Sequence, residues 1–347
     1  MIQLLPKTVA PLSLFLGLVV ASPATLSAGP FKFLKRDRKP KPIPFAPEPP
    51  KTDTPAITQV QIYLDSQLLG PGKIDGGLGE FTRKAVTLYN VQRNITPPKD
   101  NWGPVLAHAA EAVPQPFAPY VIKSHNFDFI DPALPVDYPS QAKREYLPYR
   151  RLSELLSERF HTDEKFIQKL NPNTTFYKLK PGDVVTVPNV ATPFLIENVP
   201  KHERYEEDPL LSSRQVIVDT NTRIVTIVDP THGNIVAAFP ITPGKDEFIH
   251  RGNWTLKNMV TTPEFRYDKS MLDQGVRSDD FLQIPPGPNS PVGIIWCGTS
   301  KSGIGIHGTA SPHTIGRSTS AGCIRLANWD AIRLPSLMRP GASITIR

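Results

Sequence analysis

From residue 213 onward the chain changes texture, and that change limits the fold more than any other feature. RQVIVDTNTRIVTIVDPTHGNIVAAFPITPG (214–244) alternates valine and isoleucine with polar residues and breaks at Asp219–Asn221 and Asp229–Asn234. A period of two, interrupted at short intervals by turn residues, is the pattern of strands with one face buried. IIWCGT (294–299), GIGIHG (303–308) and the terminal ASITIR (342–347) continue it. Residues 213–347 are therefore expected to form a mainly β domain. One helix is expected after Asn328, where an Asn cap and Asp330 in the first turn favour a start.

The upstream half is organised differently. Residues 1–28 read as an export signal: Lys7, an apolar run over 9–20 (VAPLSLFLGLVV), then the small residues Ala21, Ser22, Ala24 and Ala28. This places the protein in the periplasm or cell envelope, with a membrane anchor as the alternative if the signal stays uncleaved. Residues 29–55 hold eight prolines and seven basic residues and are expected as an extended tether. The formal charge is +7, and the excess sits at the N-terminus, where residues 1–55 carry eight Lys/Arg against three acids. With no basic helix, zinc spacing or aromatic–basic alternation, nucleic acid is not the expected partner.

Residues 56–95 predict two helices around a glycine-rich turn, GPGKIDGGLGEFT: Val60, Leu64 and Leu68 recur at helical spacing, as do Ala85, Leu88 and Tyr89. Residues 94–147, rich in proline, read as loop. Order returns over 144–190, with one helix on Leu152, Leu155, Leu156 and Phe160, a second on Phe166, Ile167 and Leu170, and a strand over 184–187 after a Pro-Gly-Asp turn.

The chemistry concentrates in HGTASPHTIGRSTSAGCIRL (307–326). A thiol nucleophile needs an imidazole to take its proton, a group that fixes that imidazole's tautomer, and backbone donors for the oxyanion. His307 ends a strand and precedes Gly308; Cys323 follows Gly322, whose lack of a side chain lets the backbone approach closely. The intervening loop is long enough to bring the two together, though spacing alone does not establish contact. His313, Trp296 and Tyr267 are weaker candidates, for the site or for a groove beside it.

The string Ile306–Thr309, Ile315–Gly316, Ser320, Gly322–Leu326, Asn328 and Asp330 resembles the signature of the L,D-transpeptidases of the YkuD family, and PPGPNSPVGIIW (285–296) resembles the segment that precedes its His strand. Ala321 departs from it, since many members carry His there. The resemblance covers 213–347 and implies a curved β-sandwich with Cys323 in a pocket. It implies that Cys323 attacks a peptidoglycan tetrapeptide stem at the bond to the terminal D-Ala, with His307 as base, the Gly308 carbonyl orienting the imidazole and the Gly322 and Cys323 N–H groups holding the oxyanion. Arg325, Ser320 and Thr309 are candidate substrate contacts; for Arg325 a loop-bracing salt bridge and for Ser320 a turn-fixing role stand as alternatives. No metal or organic cofactor is implied. A neighbouring imidazole commonly lowers a thiol's pKa, so an ion-paired Cys323 is expected. Two cysteines in an exported chain invite a disulfide, but a nucleophilic Cys323 argues against it and leaves Cys297 as a buried strand thiol.

Two further resemblances concern the wall polymer. Gly72, Ile74, Asp75, Gly76, Gly79 and Thr82 resemble the loop of the helical peptidoglycan-binding domain, and residues 144–190 resemble a LysM module, whose first strand should fall within 144–149. The implied partners are stem peptides and glycan strands. The rival readings are a carboxypeptidase or cross-link hydrolase, with water as acceptor, and a non-catalytic wall-binding protein.

Overall fold

The computed structural model describes residues 54–98, 101–274, 276–319 and 322–347. The proposed signal (1–28) and tether (29–55, apart from Thr54 and Pro55) lie outside these residues, as does Ser320.

Three helices come first: α1 (Thr54–Ser66), α2 (Glu80–Gln92) and α3 (Gly103–Ala112). The turn between α1 and α2 is tied to α1 by one side chain. Gln61 accepts from the Asp75 and Gly76 N–H groups (3.0 and 2.8 Å) and donates to the Gly77 carbonyl (3.0 Å). Gly76, at φ +68°, packs so tightly on α1 that a Cβ would lie 2.3 Å from the Thr54 methyl.

The stretch expected as loop, 94–147, contains α3 and a strand, β1 (Phe117–Val121). Prolines hide both. Pro104 occupies the first turn of α3, where a missing N–H costs little. Pro119 faces Thr186 in the antiparallel pairing of β1 with β2 (Val184–Pro188). The N–H and C=O of Thr186 turn instead to the Asn171 side chain, at 2.8 Å each, so this register position asks no hydrogen of Pro119.

Between β1 and β2 lie a single-turn helix α4 (Tyr138–Gln141), α5 (Leu152–Arg159) and α6 (Glu164–Leu170). The partner of β2 is therefore 117–121 and not the 144–149 stretch. That stretch is bonded elsewhere: the Leu147 N–H donates to the Pro286 carbonyl (2.8 Å), and Asn289 Nδ2 donates to the Pro148 carbonyl (2.7 Å).

The C-terminal region supplies β3 (Gln215–Asp219), β4 (Ile224–Val228), β5 (Ile235–Pro240), β6 (Gly252–Thr261), β7 (Phe265–Tyr267), α7 (Lys269–Gln274), β8 (Leu282–Ile284), β9 (Ile295–Thr299), β10 (Gly305–His307), β11 (Ile324–Arg325), α8 (Asn328–Ala331) and β12 (Ser343–Ile346). Eight strands form one sheet in the order β11-β10-β9-β6-β12-β3-β4-β5, while β7 and β8 make a separate ribbon. The sheet curls until its two ends meet: Thr242, just past β5, exchanges backbone hydrogen bonds with Arg325 of β11 (2.9 and 3.0 Å). Further along, β5 is covered by the α1–α2 turn, whose Gly70 N–H donates to the Ala238 carbonyl (2.7 Å) while the Ala238 N–H donates to Leu68 (2.9 Å). No bare sheet edge is left along this part of β5.

A single apolar cluster runs from Val60 and Tyr89 through Leu155 and Val187 to Ile306, Ile324 and Ile346. The upstream helices and the sheet thus share one core. Buried at their seam, Asp65 of α1 accepts two hydrogen bonds from Arg333 (3.0 and 2.8 Å) and lies 3.1 Å from the His161 ring, which stacks on Trp329.

Candidate active site

The register of two short strands assembles the site. β10 and β11 run parallel, with Ile306 opposite Ile324 and His307 opposite Arg325. Both isoleucines are fully buried, each contributing about 1.5–3 kcal/mol by burial. A one-residue slip would turn them out of the core, so the register is strongly specified. Cys323 immediately precedes β11, which sets the thiol at the start of the strand that pairs with the imidazole's.

His307 is buried, and its Nδ1 lies 2.7 Å from the Gly308 carbonyl oxygen. A carbonyl only accepts, so Nδ1 carries the hydrogen and Nε2 presents a lone pair. Trp296, opposite His307 on β9, stacks on the imidazole at 5.6 Å between ring centres. Burial drives the His307 pKa down to about 4, against the pull of the Gly308 hydrogen bond, and the Arg325 charge adds to the lowering.

Cys323 is half-buried, and its Sγ lies 3.5 Å from the Gly303 carbonyl. Burial pushes its pKa up to about 11, opposed by a backbone hydrogen bond from Gly305 and by the Arg325 charge. Desolvation disfavours both charges and so favours the neutral thiol and imidazole over the expected thiolate–imidazolium pair.

Backbone glycines shape the thiol's surroundings. Gly322 sits at φ +111°, left-handed space that favours glycine. Its Cα packs against Gly244, where a Cβ would approach to 2.4 Å. Thr242 holds the loop between His307 and Cys323, its Oγ1 accepting from the Gly316 N–H (2.9 Å).

Asn328 brackets the other side. Its Oδ1 accepts from the N–H groups of Thr309 (3.1 Å) and Ile294 (3.3 Å), and its Nδ2 donates to Glu158 of α5 (2.9 Å). The oxygen fills the space where a Cβ on Gly293 or Gly308 would go, 2.1 Å away in each case. Asn328 was expected to cap a helix; α8 does start there, but its side chain is turned back to the His307 strand.

Cys323 and Trp296 open onto a cavity of about 680 Å³. Arg204, Arg266 and Arg277 line it against Glu264 and Asp268. Arg204 belongs to the connection that precedes the sheet. It reaches the cavity because that connection pairs with β6, Arg204 facing Val260 and the Tyr205 N–H donating to the Met259 carbonyl (3.0 Å).

The remaining candidates fall as follows. The Arg325 side chain braces the loop, donating to the Thr319 carbonyl (2.7 Å) and Ser318 Oγ (3.3 Å). Thr309, expected as a substrate contact, is buried, with its N–H on Asn328 and its Oγ1 accepting from the Ser311 N–H (3.2 Å); its side chain holds the turn. His313 is exposed. Cys297 is fully buried on β9 and, like Cys323, forms no disulfide. Tyr267 packs against Tyr138 with the rings tilted at 39° and their centres 4.2 Å apart, and does not line the thiol cavity. Sequence reasoning gave no role to Thr242, Gly244, Gly293, Arg204 or Glu158. The glycines and Thr242 stood in turn strings that signal tight backbone, but nothing local announces what would pack on them.

Residues 213–346 match the family model described as YkuD, L,D-transpeptidase catalytic domain. The chain is 24% identical over 194 residues to YkuD of Bacillus licheniformis, covering 56% of this chain and 92% of that protein. It is 46% identical over 59 residues to YkuD of Bacillus subtilis, covering 17% of this chain and 36% of that one. Among solved structures it is similar to L,D-transpeptidase 3 from Mycobacterium tuberculosis in complex with a faropenem-derived adduct, at 15% identity and a TM-score of 0.32, over 49% of this chain and 76% of that one. An L,D-transpeptidase from Mycobacterium smegmatis matches at 15% identity and a TM-score of 0.31, with the same coverage.

Proposed function

We propose that this chain, whose residues 213–346 carry an L,D-transpeptidase catalytic domain of the YkuD family, is an exported cysteine acyltransferase that remodels peptidoglycan. The observation that carries the reading is the Nδ1–H bond of His307 to the Gly308 carbonyl, with Cys323 immediately before the strand that pairs with the His307 strand. It leaves Nε2 as the proton acceptor that a neutral thiol needs.

The thiol of Cys323 attacks the carbonyl carbon of the third residue in a tetrapeptide stem as its proton passes to His307 Nε2. The developing oxyanion is held by the Gly322 and Cys323 N–H groups. The C–N bond breaks, His307 protonates the leaving D-Ala nitrogen, and a thioester remains on Cys323. An amine of a second stem then attacks the thioester carbonyl, His307 takes the amine proton, and the thiol is regenerated. The three arginines around the cavity outnumber its two carboxylates, which suits a ligand rich in carboxylates, as a stem peptide is.

The two upstream units would hold the enzyme to glycan. In the β1-to-β2 unit Tyr177 is 87% exposed and offers an apolar face to a sugar ring. Incubating the purified protein with tetrapeptide muropeptides and reading products by mass spectrometry tests the function. Cross-linked dimers with release of D-Ala are expected. Tripeptides alone would make water the acceptor, and unchanged substrate would remove the reading.

A further inference from the structure

We infer that Glu158, which lies outside the transpeptidase region on helix α5, is a positioning residue of the active site: it fixes the Asn328 amide that holds the backbone around the His307–Gly308 bond. The inference rests on the reading of His307 and Cys323 as the reacting pair.

Asn328 has two ends that must not be exchanged. Its oxygen accepts from Thr309 N–H and Ile294 N–H, and its nitrogen donates to Glu158 Oε1 at 2.9 Å and reaches the Pro288 carbonyl at 3.4 Å. Reversed, the amide would set N–H groups against N–H groups at one end. Glu158 supplies the nearer acceptor, which holds the nitrogen in place. It is itself buried and steadied by the Tyr149 hydroxyl, which donates to its other oxygen.

What the amide oxygen holds matters for the chemistry. Thr309 directly follows Gly308, whose carbonyl sets the His307 tautomer. The oxygen sits so close to both Gly308 and Gly293 that neither could carry a side chain. If Asn328 turns or retracts, the Thr309 N–H loses its partner and the Gly308 peptide is free to rotate. The Nδ1 hydrogen bond then weakens, and the proton is no longer confined to Nδ1. The same upstream unit grips the other jaw, since the Asn289 N–H donates to the Leu147 carbonyl (3.1 Å) and Asn289 Nδ2 to Pro148 (2.7 Å), just before Gly293 and Ile294. The helical unit is by this account part of the active-site scaffold as well as a tether.

The test uses the whole chain with ¹⁵N-labelled histidine and the variants Glu158→Ala, Glu158→Gln and Tyr149→Phe. The His307 ring shifts report the tautomer in resting protein, without substrate. In the wild type Nδ1 should be the protonated nitrogen. Glu158→Ala should show a mixture of tautomers and lose at least about tenfold in kcat with KM within about twofold. Glu158→Gln, whose amide oxygen still accepts from Asn328, should restore both, and Tyr149→Phe, which removes the bond that steadies Glu158, should shift the tautomer the same way as Glu158→Ala but less. A folded Glu158→Ala protein with the wild-type tautomer and kcat would overturn the inference, as would Glu158→Gln losing as much as the alanine variant. If Glu158→Ala does not fold, Glu158→Asp, which withdraws the acceptor by one methylene, takes its place under the same criteria. Because the tautomer is read without turnover, a protein inactive on every stem peptide would sink the proposed function and still leave this inference decided.

Discussion

Burial favours a neutral Cys323 thiol and a neutral His307 imidazole, so on the proposed mechanism the proton moves as the sulfur attacks. That state changes what a thiol probe should see. With the Cys323 pKa near 11, alkylation by iodoacetamide should be slow at neutral pH and rise about tenfold per pH unit toward it. A plateau of fast alkylation below pH 7 would show a preformed thiolate and contradict the account. Cys323→Ala should abolish turnover while Cys297→Ala keeps most of it, since Cys297 is sealed in the core. The candidate thiol and imidazole were legible in the sequence, from the Gly-Cys-Ile-Arg string and the isolated His-Gly. Their charge state was not, because it depends on burial by residues from β9, β10 and the 244–248 turn, which no local pattern announces.

At the scale of elements the site depends on close backbone approach. Gly308→Ala places a Cβ 2.1 Å from Asn328 Oδ1. The variant should be destabilised by about 1–3 kcal/mol, the usual cost of forcing atoms into a filled site, and should lose activity through the displaced carbonyl. Thermal melts and a tetrapeptide assay check both; an alanine variant with wild-type melting and turnover would show that the bracket is looser than the distances say. The strands of the sheet were legible because each buries one face and alternates cleanly, as β3 and β4 do. β1 was not, because its three-proline neighbourhood reads as loop until Thr186 and Asn171 are seen to remove the need for a Pro119 N–H. The burial of Thr309 was not legible for a related reason: a Thr beside a candidate base suggests a substrate contact, and only the Asn328 bracket shows that its backbone and hydroxyl hold the turn.

Across the whole molecule the shared core and the buried Asp65–His161–Arg333 seam join helices to sheet. Burial alone would raise the Asp65 pKa, but Arg333 and His161 more than offset it and hold the carboxyl well below its usual range. A carboxylate with a depressed folded pKa contributes stability that is present above its unfolded value, near 4, and is lost as pH falls below it. Wild-type melting temperature should therefore drop steeply below about pH 4. Asp65→Ala should cost about 3–5 kcal/mol at neutral pH by stranding Arg333, and its melting temperature should depend less on acid. Parallel pH curves for the two proteins would refute the role of the seam. Composition divided the chain into modules; the core that residues of these stretches share was not legible, because the contacts that make it are far apart in the chain.

The central claim is that Cys323 forms a thioester with the acyl part of a tetrapeptide stem, and the most direct measurement is the intact mass of the protein quenched during turnover. Wild type should gain the mass of the stem less its terminal D-Ala, on a peptide containing Cys323, with free D-Ala in solution. Cys323→Ala should gain nothing. An adduct that persists in Cys323→Ala, or D-Ala release by that variant at the wild-type rate, would contradict the account.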